Sequence, residues 1–318
     1  QLQNAMTQEF SLKSRKPVEA GQDRQASAVD RRLAKAPAVE FQALASATSL
    51  PSDGETSTAM LDVWKPGDPS SRLVLDARVE RTVREFIEGS RMKDLLIESG
   101  VEIPSRLLLT GAPGTGKTEI AKEVASALGV PLFIARSDVI VSSLLGQTSR
   151  NIRNVFEFAA ERPCVLLLDE LDALAKRRDD AGDVGELQRV VIGLLQNLDS
   201  LPDDTVVVGA TNHPELLDRA IARRFAQRVA VSLPGWDARR TIWEMYLGRE
   251  AMRPGDLAEL ATASVGMSGA LIEEAALNAR RESVLRSEPL SLARAMRRVA
   301  DVLWYNELTE FEDERGEI

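Results

Sequence analysis

The sequence predicts an α/β domain built on a five-stranded parallel sheet with flanking helices, followed by a small C-terminal α-helical domain. From residue 105 onward, short apolar runs alternate with stretches of helical periodicity, which is typical of a parallel sheet covered by helices. After Pro234 the strand-like runs stop and only helical patterns follow. Repeated strand and helix units favour a right-handed α/β arrangement for the first of these parts.

Five runs are the predicted strands, in chain order RLLLT, VPLFIA, CVLLLD, TVVVGAT and RVAVSL. The segments between them carry apolar residues on one helical face, as in the set Ile152, Val155, Phe156 and Ala159. The same spacing recurs after Pro234, first in the set Ile242, Trp243, Tyr246 and Leu247. These patterns predict that each helix packs its apolar face against the sheet or against another helix.

The chain has 318 residues, which is enough for two domains that each bury a core. We expect an N-terminal segment over residues 1–72, a large α/β domain over 73–234, a small helical domain over 235–305 and an acidic tail over 306–318. The N-terminal segment is rich in Ala, Ser and Gln, which indicates a partly flexible stretch. It is either a plain tether or an arm that recognises a partner.

The net charge of −9 disfavours a general nucleic-acid-binding surface. No apolar run approaches the roughly 18 residues that cross a bilayer, and the first residues lack a signal-peptide core, so we expect a cytoplasmic protein without a membrane partner. The single cysteine, Cys164, lies inside an apolar run and is expected to be a small buried hydrophobic residue.

A complete phosphate-binding pattern, G-x-x-x-x-G-K-T, follows the first predicted strand and opens a helix. Glycines let the backbone N–H groups surround a phosphate chain, Lys117 can reach the terminal phosphates, and Thr118 can bind Mg²⁺. This context predicts a P-loop sheet that binds a nucleotide together with Mg²⁺. The residues expected to contact the nucleotide are Gly111, Ala112, Pro113, Gly114, Thr115, Gly116, Lys117, Thr118 and Glu119.

Two acidic residues, Asp169 and Glu170, end the third predicted strand, where ligands bind in such sheets. Asp169 is expected to bind Mg²⁺ and Glu170 to polarise the water that attacks the γ-phosphate. Asn212 ends the fourth strand and can orient that water. Asp172 is expected to be a helix cap, and the only histidine, His213, is expected to serve loop structure.

Two adjacent arginines, Arg223 and Arg224, precede Phe225. No carboxylate occurs in the sequence between Asp218 and Asp237, so we expect no salt bridge from nearby residues to neutralise them. They either form a solvated basic surface or meet a negative charge elsewhere.

In this order the motifs resemble those of the AAA+ ATPases, in particular the AAA subfamily that includes valosin-containing-protein-type unfoldases, membrane-bound proteolytic AAA enzymes and katanin-type and spastin-type severing enzymes. The resemblance spans about Leu73 to Ser283. It implies that Lys117 and Thr118 belong to Walker A, that Asp169 and Glu170 belong to Walker B, and that Asn212 is the first sensor. It further implies that the lid residues Gly269 and Ala270 approach the sugar and base of ATP.

The resemblance also implies that Arg223 and Arg224 reach the γ-phosphate held by a neighbouring subunit, in a ring that is a hexamer by family analogy. Leu144 and Leu145 correspond to the pore loop, although the aromatic residue common in the family is absent. The family's D-G-F stretch is replaced by LDSLPD, residues 198–203, and its lid acid by Leu271.

Three functions follow from the resemblance. The first is an ATP-driven ring that remodels, unfolds or moves a protein partner. The second is an ATP-gated regulatory module of a partner enzyme such as a protease, without threading. The third is a nucleic-acid-directed machine, which the negative charge and the lack of a helix-turn-helix or zinc-ribbon pattern disfavour.

Overall fold

The computed structural model describes residues 50–53, 57–68, 72–102, 104–137, 147–174, 184–203, 205–248 and 252–316, with residues 174, 184–189 and 306–316 described by their backbone alone. Leu144 and Leu145, the predicted pore-loop residues, and most of the N-terminal segment lie outside these ranges. No helix in the described part of the chain is long and apolar enough to cross a membrane.

The described sheet has six strands in the spatial order β1-β3-β4-β5-β2-β6. Their bounds are β1 Leu61–Trp64, β2 Arg106–Thr110, β3 Leu132–Ala135, β4 Val165–Leu168, β5 Val206–Thr211 and β6 Gln227–Ala230. Strands β2 to β6 are parallel and correspond to the five predicted strands.

The sixth strand, β1, was not predicted and runs antiparallel to β3 at the edge of the sheet. Its sequence LDVW is short and contains a charged residue, Asp62, which is exposed. Only the first residue of β1, Leu61, is deeply buried. The local pattern is therefore too weak to identify a strand, and its pairing with β3 depends on a segment much later in the chain.

Helices cover both faces of the sheet, and each face has its own apolar core. One face packs against α1 and α3, and the other against α4, α5 and α6. Here the bounds are α1 Ala77–Arg91, α2 Lys93–Glu98, α3 Lys117–Leu128, α4 Gln147–Ala160, α5 Val184–Ser200 and α6 Arg219–Arg223. The core on the α4 side uses the apolar face that the sequence predicted for that helix, Ile152, Val155, Phe156 and Ala159.

Four helices follow the sheet and pack around a separate apolar core. They are α7 Trp236–Leu247, α8 Pro254–Ala263, α9 Gly269–Arg286 and α10 Leu292–Gly316. The fully buried Trp243 fills the centre of this core, and its indole N–H donates to the Ser264 hydroxyl at 3.0 Å. The backbone of the acid-rich C-terminal stretch continues α10 as far as Gly316.

Candidate active site

A cleft lies at the carboxyl ends of β2, β4 and β5, which are neighbours in the sheet. Because parallel strands end at the same edge, the loops after these strands converge there. The cleft encloses about 380 Å³. It brings together five residues that the sequence singled out for catalysis or Mg²⁺ binding, namely Lys117, Thr118, Asp169, Glu170 and Asn212.

The phosphate loop touches the helical domain directly at Gly114. This glycine has a φ of +72°, and a Cβ at this position would lie 2.7 Å from the Ser268 hydroxyl and 2.9 Å from the Ala270 Cβ. The amide of Ala270 donates to the carbonyl of Gly114 at 3.1 Å. Only glycine fits this close approach, so the first turn of α9 and the phosphate loop form one continuous wall of the cleft.

Lys117 is only 7% exposed and begins α3 at the base of the loop. Its ammonium donates to the carbonyls of Gly111 at 2.7 Å and Ala112 at 2.9 Å. Burial lowers the pKa of Lys117, and the nearby carboxylates of Asp169 and Asp172 partly oppose that effect. The loop thus holds a buried cation beside the amide-lined turn, which suits a chain of phosphates.

The hydroxyl of Thr118 donates to a carboxylate oxygen of Asp169 at 3.1 Å. A hydroxyl oxygen and a carboxylate oxygen side by side are hard ligands of the kind that Mg²⁺ uses together with phosphates and water. The donor set therefore fits a magnesium ion bound with a nucleotide.

Glu170 occupies the left-handed region with a φ of +52°. Its amide donates to Asp169 at 2.9 Å, and its carboxylate accepts a hydrogen bond from the hydroxyl of Ser137 at 2.7 Å. The sequence analysis missed Ser137, which follows the end of β3. A hydroxyl placed just beyond a buried strand that neighbours β4 was the signal that could have identified it.

Asp172 is buried and links the ends of β4 and β5. Its carboxylate accepts a hydrogen bond from the Thr211 hydroxyl at 2.8 Å and a longer one from the Asn212 amide at 3.4 Å. The expectation of a simple helix cap was wrong, because the hydrogen-bond donors to this carboxylate belong to β5 and the residue after it. Asp172 therefore positions the segment that carries Asn212, while His213 lies in the exposed loop beyond and pairs with Glu215.

The other end of the cleft is more apolar and lies between the α/β domain and the small helical domain. Gly269 and Ala270 line it, together with residues that the sequence analysis assigned to packing or did not single out: Leu73, Val74, Ile242, Tyr246 and Glu273. Tyr246 fitted the apolar face of α7, so the helical pattern alone gave no reason to place it in a ligand cleft. Apolar walls with a few polar groups suit a nucleoside.

Neither Arg223 nor Arg224 is among the residues that line this cleft. Arg223 is exposed, whereas Arg224 forms an ion pair with Asp199 in the last turn of α5. No carboxylate close in the sequence pairs with Arg224, but Asp199, 25 residues earlier, does so because α5 and α6 are close in space. The following residue, Phe225, is fully buried and anchors this segment to the core.

Residues 107–233 match the family model described as "ATPase family associated with various cellular activities (AAA)". The chain is 38% identical over 211 residues to the uncharacterized AAA family ATPase y4kL of Sinorhizobium fredii, an alignment that covers 66% of this chain and 59% of that protein. It is 36% identical over 238 residues to the proteasome-activating nucleotidase of Archaeoglobus fulgidus, which covers 71% of this chain and 60% of that protein.

The chain is also 37% identical over 211 residues to the ATP-dependent zinc metalloprotease FtsH of Lancefieldella parvula, with 63% of this chain and 33% of that protein covered. The alignments thus span less than two thirds of each of these relatives. A crystal structure of the FIGL-1 AAA domain in complex with ADP has the same fold, with a TM-score of 0.61, 24% identity and coverage of 76% of this chain and 87% of that one.

Proposed function

We propose that this chain, which matches the AAA family model over residues 107–233 and is similar to AAA ATPases, hydrolyses ATP with Mg²⁺ at the subunit interfaces of a ring, most simply a hexamer, and thereby remodels, unfolds or moves a protein. One observation carries the proposal. The cleft holds a phosphate loop, a carboxylate and hydroxyl pair for Mg²⁺ and a carboxylate for water activation, while the paired arginines lie outside it.

Each residue of the cleft has a distinct chemical task. The backbone amides of residues 111–118 and the ammonium of Lys117 bind the phosphates of ATP, and Thr118 and Asp169 hold Mg²⁺. Bound Mg²⁺ supplies positive charge that neutralises the β- and γ-phosphate oxygens. Glu170 accepts the proton of the attacking water, which forms its new bond to the γ-phosphorus as the bond to ADP breaks. Asn212 orients that water.

Arg223 and Arg224 complete the site from a second subunit. The transferring phosphoryl group carries charge that Lys117 alone does not balance, and an arginine supplied in trans typically contributes on the order of a thousandfold in rate. Arg223 is the last residue of α6, Arg224 caps the helix, and the next residue, Phe225, is buried in the core, so both arginines are held at this helix end. This placement supports a role toward a neighbouring subunit's cleft.

A protein substrate is supported by the relatives and by charge. Two of the relatives carry names connected with proteolysis, the proteasome-activating nucleotidase and FtsH, and this chain's net charge of −9 disfavours a nucleic-acid partner. The name of the archaeal nucleotidase also favours a second candidate, in which the chain is an ATP-gated regulator of a partner enzyme such as a protease.

The proposal is tested with Glu170→Gln in the full chain, with Glu259→Gln on the exposed surface of α8 as the matched control. Glu170→Gln should bind ATP with near-normal affinity and lose at least about a hundredfold in turnover, because the amide cannot accept the proton. The control should hydrolyse ATP normally. Full turnover by Glu170→Gln contradicts the assignment of the base.

The trans arrangement is tested by mixing Glu170→Gln and Arg224→Ala chains. Each variant alone lacks one half of every site, but a mixed ring contains some interfaces with an intact Glu170 on one side and an intact Arg224 on the other. We expect the mixture to hydrolyse ATP faster than the sum of its components. Turnover equal to that sum excludes the shared site.

A further inference from the structure

The residues that lead into the sheet form an arm on the surface of α4, which we define as the described residues 50–53 and 57–64. Within its described part, Ser52 and Ala59 form an antiparallel bridge, and the amide of Met60 donates to the carbonyl of Pro51 at 2.9 Å. Met60 and Leu61 are buried in the same apolar core as α4 and α5. The arm is therefore packed into the core of the domain.

The first fixed point of the arm is a buried carboxylate. Asp53 is 6% exposed and accepts a hydrogen bond from the side-chain amide of Asn151, which is completely buried in α4, at 3.0 Å. The amide oxygen of Asn151 accepts a second bond from Gln147 at 2.9 Å. Burial of a carboxylate costs free energy unless the group is hydrogen bonded. These linked hydrogen bonds therefore hold the arm against the first turn of α4.

The second fixed point lies at Arg136, one residue before Ser137. The carbonyl of Met60 accepts a hydrogen bond from the amide of Arg136 at 3.0 Å, directly after Ala135 pairs with Leu61 at the end of β3. The next residue is Ser137, whose hydroxyl donates to Glu170 at 2.7 Å. The arm thus holds the backbone that carries Ser137, the one side chain in the described part of the chain that hydrogen bonds to the Glu170 carboxylate.

Side-chain packing leaves a gap beneath this region. A cavity of about 30 Å³ separates Ser137 and Asp169 from the α4 residues Ile152, Val155 and Phe156. Because an unfilled space provides no contact on one side, van der Waals packing alone does not fix Ser137 against α4. The hydrogen bonds of the arm are therefore well placed to set the positions of α4 and of the end of β3, which both line the cavity.

We propose that this arm, residues 50–53 and 57–64, is a positioning arm for ATP hydrolysis, in which Asp53 and Met60 fix α4 and the end of β3 so that Ser137 holds the carboxylate of Glu170 in place. This proposal rests on the hydrolytic function proposed above. Asp53 and Asn151 are positioning residues and do not touch the nucleotide. Their loss should impair the chemical step and spare nucleotide binding, because the phosphate loop connects β2 to α3 and includes no residue of the arm or of α4.

The test exchanges the carboxylate of Asp53 and the side-chain amide of Asn151 between the two positions. Asn151→Asp places two carboxylates against each other in a buried site and should lower kcat by about tenfold or more, because small displacements of a catalytic group are costly. The double variant Asp53→Asn with Asn151→Asp restores a donor facing an acceptor, and Gln147 can still donate to residue 151. It should recover kcat to within about twofold of the parent.

Three measurements separate this role from plain stabilisation. The affinity for a fluorescent ADP analogue should stay within about twofold in all variants, and kcat should be measured well below each unfolding midpoint. Asp62→Asn is the matched control, since it removes an exposed charge from the same arm. If Asn151→Asp lowers the midpoint but leaves kcat unchanged, or lowers kcat and ADP affinity together, the proposal is wrong.

Amide hydrogen exchange tests the arm independently of turnover. Asn151→Asp should accelerate exchange at Arg136 and Ser137, and the double variant should restore protection. Unchanged exchange at these two amides overturns the proposal. If the parent chain shows no ATP turnover at all, the hydrolytic function fails, while this measurement still decides whether the arm fixes the end of β3.

Discussion

The guanidinium of Arg224 forms a bidentate ion pair with Asp199, in which Nε and Nη2 each lie 2.8 Å from a different carboxylate oxygen. The hydrogen bond and charge of Arg224 hold the pKa of Asp199 below its ordinary value. Asp199 belongs to the stretch 198–203, which the sequence analysis regarded as a departure from the family pattern. Within this chain, the arginine proposed to act on a neighbouring site is thus oriented by a carboxylate of its own subunit.

Asp199→Asn should have a small effect on hydrolysis compared with Arg224→Ala. The pair is partly exposed, and such pairs stabilise proteins weakly, so its loss should change kcat by no more than about fivefold. Arg224→Ala should lower kcat by about a thousandfold, since it removes the cation itself. Steady-state ATPase assays of both variants provide the comparison. Equal losses of kcat in the two variants contradict the trans role of Arg224. They would indicate that hydrolysis depends on the ion pair between Arg224 and Asp199.

Gly209→Ala should destabilise the domain and displace the arginine segment. A Cβ at Gly209 would lie 2.8 Å from both Leu171 Cδ1 and Phe225 Cζ, and Phe225 directly follows the arginines. Overpacking of this kind costs roughly 1–3 kcal/mol, which chemical denaturation can measure. Gly193→Ala in α5 is the matched control, because the nearest atom to its new Cβ, the hydroxyl oxygen of Ser149 in α4, is 3.9 Å away. The control should stabilise the helix by about 0.5–1 kcal/mol, and the same sign for both variants contradicts this account.

Residues that follow directly from a local pattern were predicted from the sequence. Lys117 and Thr118 belong to one uninterrupted motif, and Asp169, Glu170 and Asn212 follow buried strands, so the parallel arrangement brings them to one edge. The five parallel strands were predicted for the same reason, because each is a continuous apolar run in the sequence.

Residues that depend on distant partners were not predicted. Asp199 meets Arg224 across 25 residues and Ser137 meets Glu170 across 33, and no spacing rule connects such pairs before the layers are assembled. Strand β1 was missed because its pairing energy comes from β3 and from the buried Met60 and Leu61, not from its own pattern. Side-chain contacts between the sheet and the helices depend on how these layers pack. The spacing of apolar residues along the sequence does not predict that packing.

Asp172→Ala should impair both stability and catalysis. The substitution leaves the buried hydroxyl of Thr211 without its carboxylate partner, which typically costs about 1–3 kcal/mol. It should also lower kcat, because the Asn212 segment loses an anchor. Thr211→Val removes the other partner, and the double variant should cost less than the sum of the two single variants. Strict additivity in denaturation and in kcat contradicts a coupled role for this pair.

Cys164 should be unreactive in the folded protein and reactive once the chain unfolds. The thiol is 5% exposed, and burial raises its pKa to about 12, so almost none of it is thiolate at pH 8. Because this is the only cysteine of the chain, a colorimetric thiol reagent should detect far less than one equivalent in buffer and one equivalent in denaturant. Raising the pH from 7 to 9 should not restore fast reaction while the fold persists, since access to the buried sulfur also limits the rate. Rapid labelling of the native chain at pH 8 contradicts the buried placement of this residue at the start of β4.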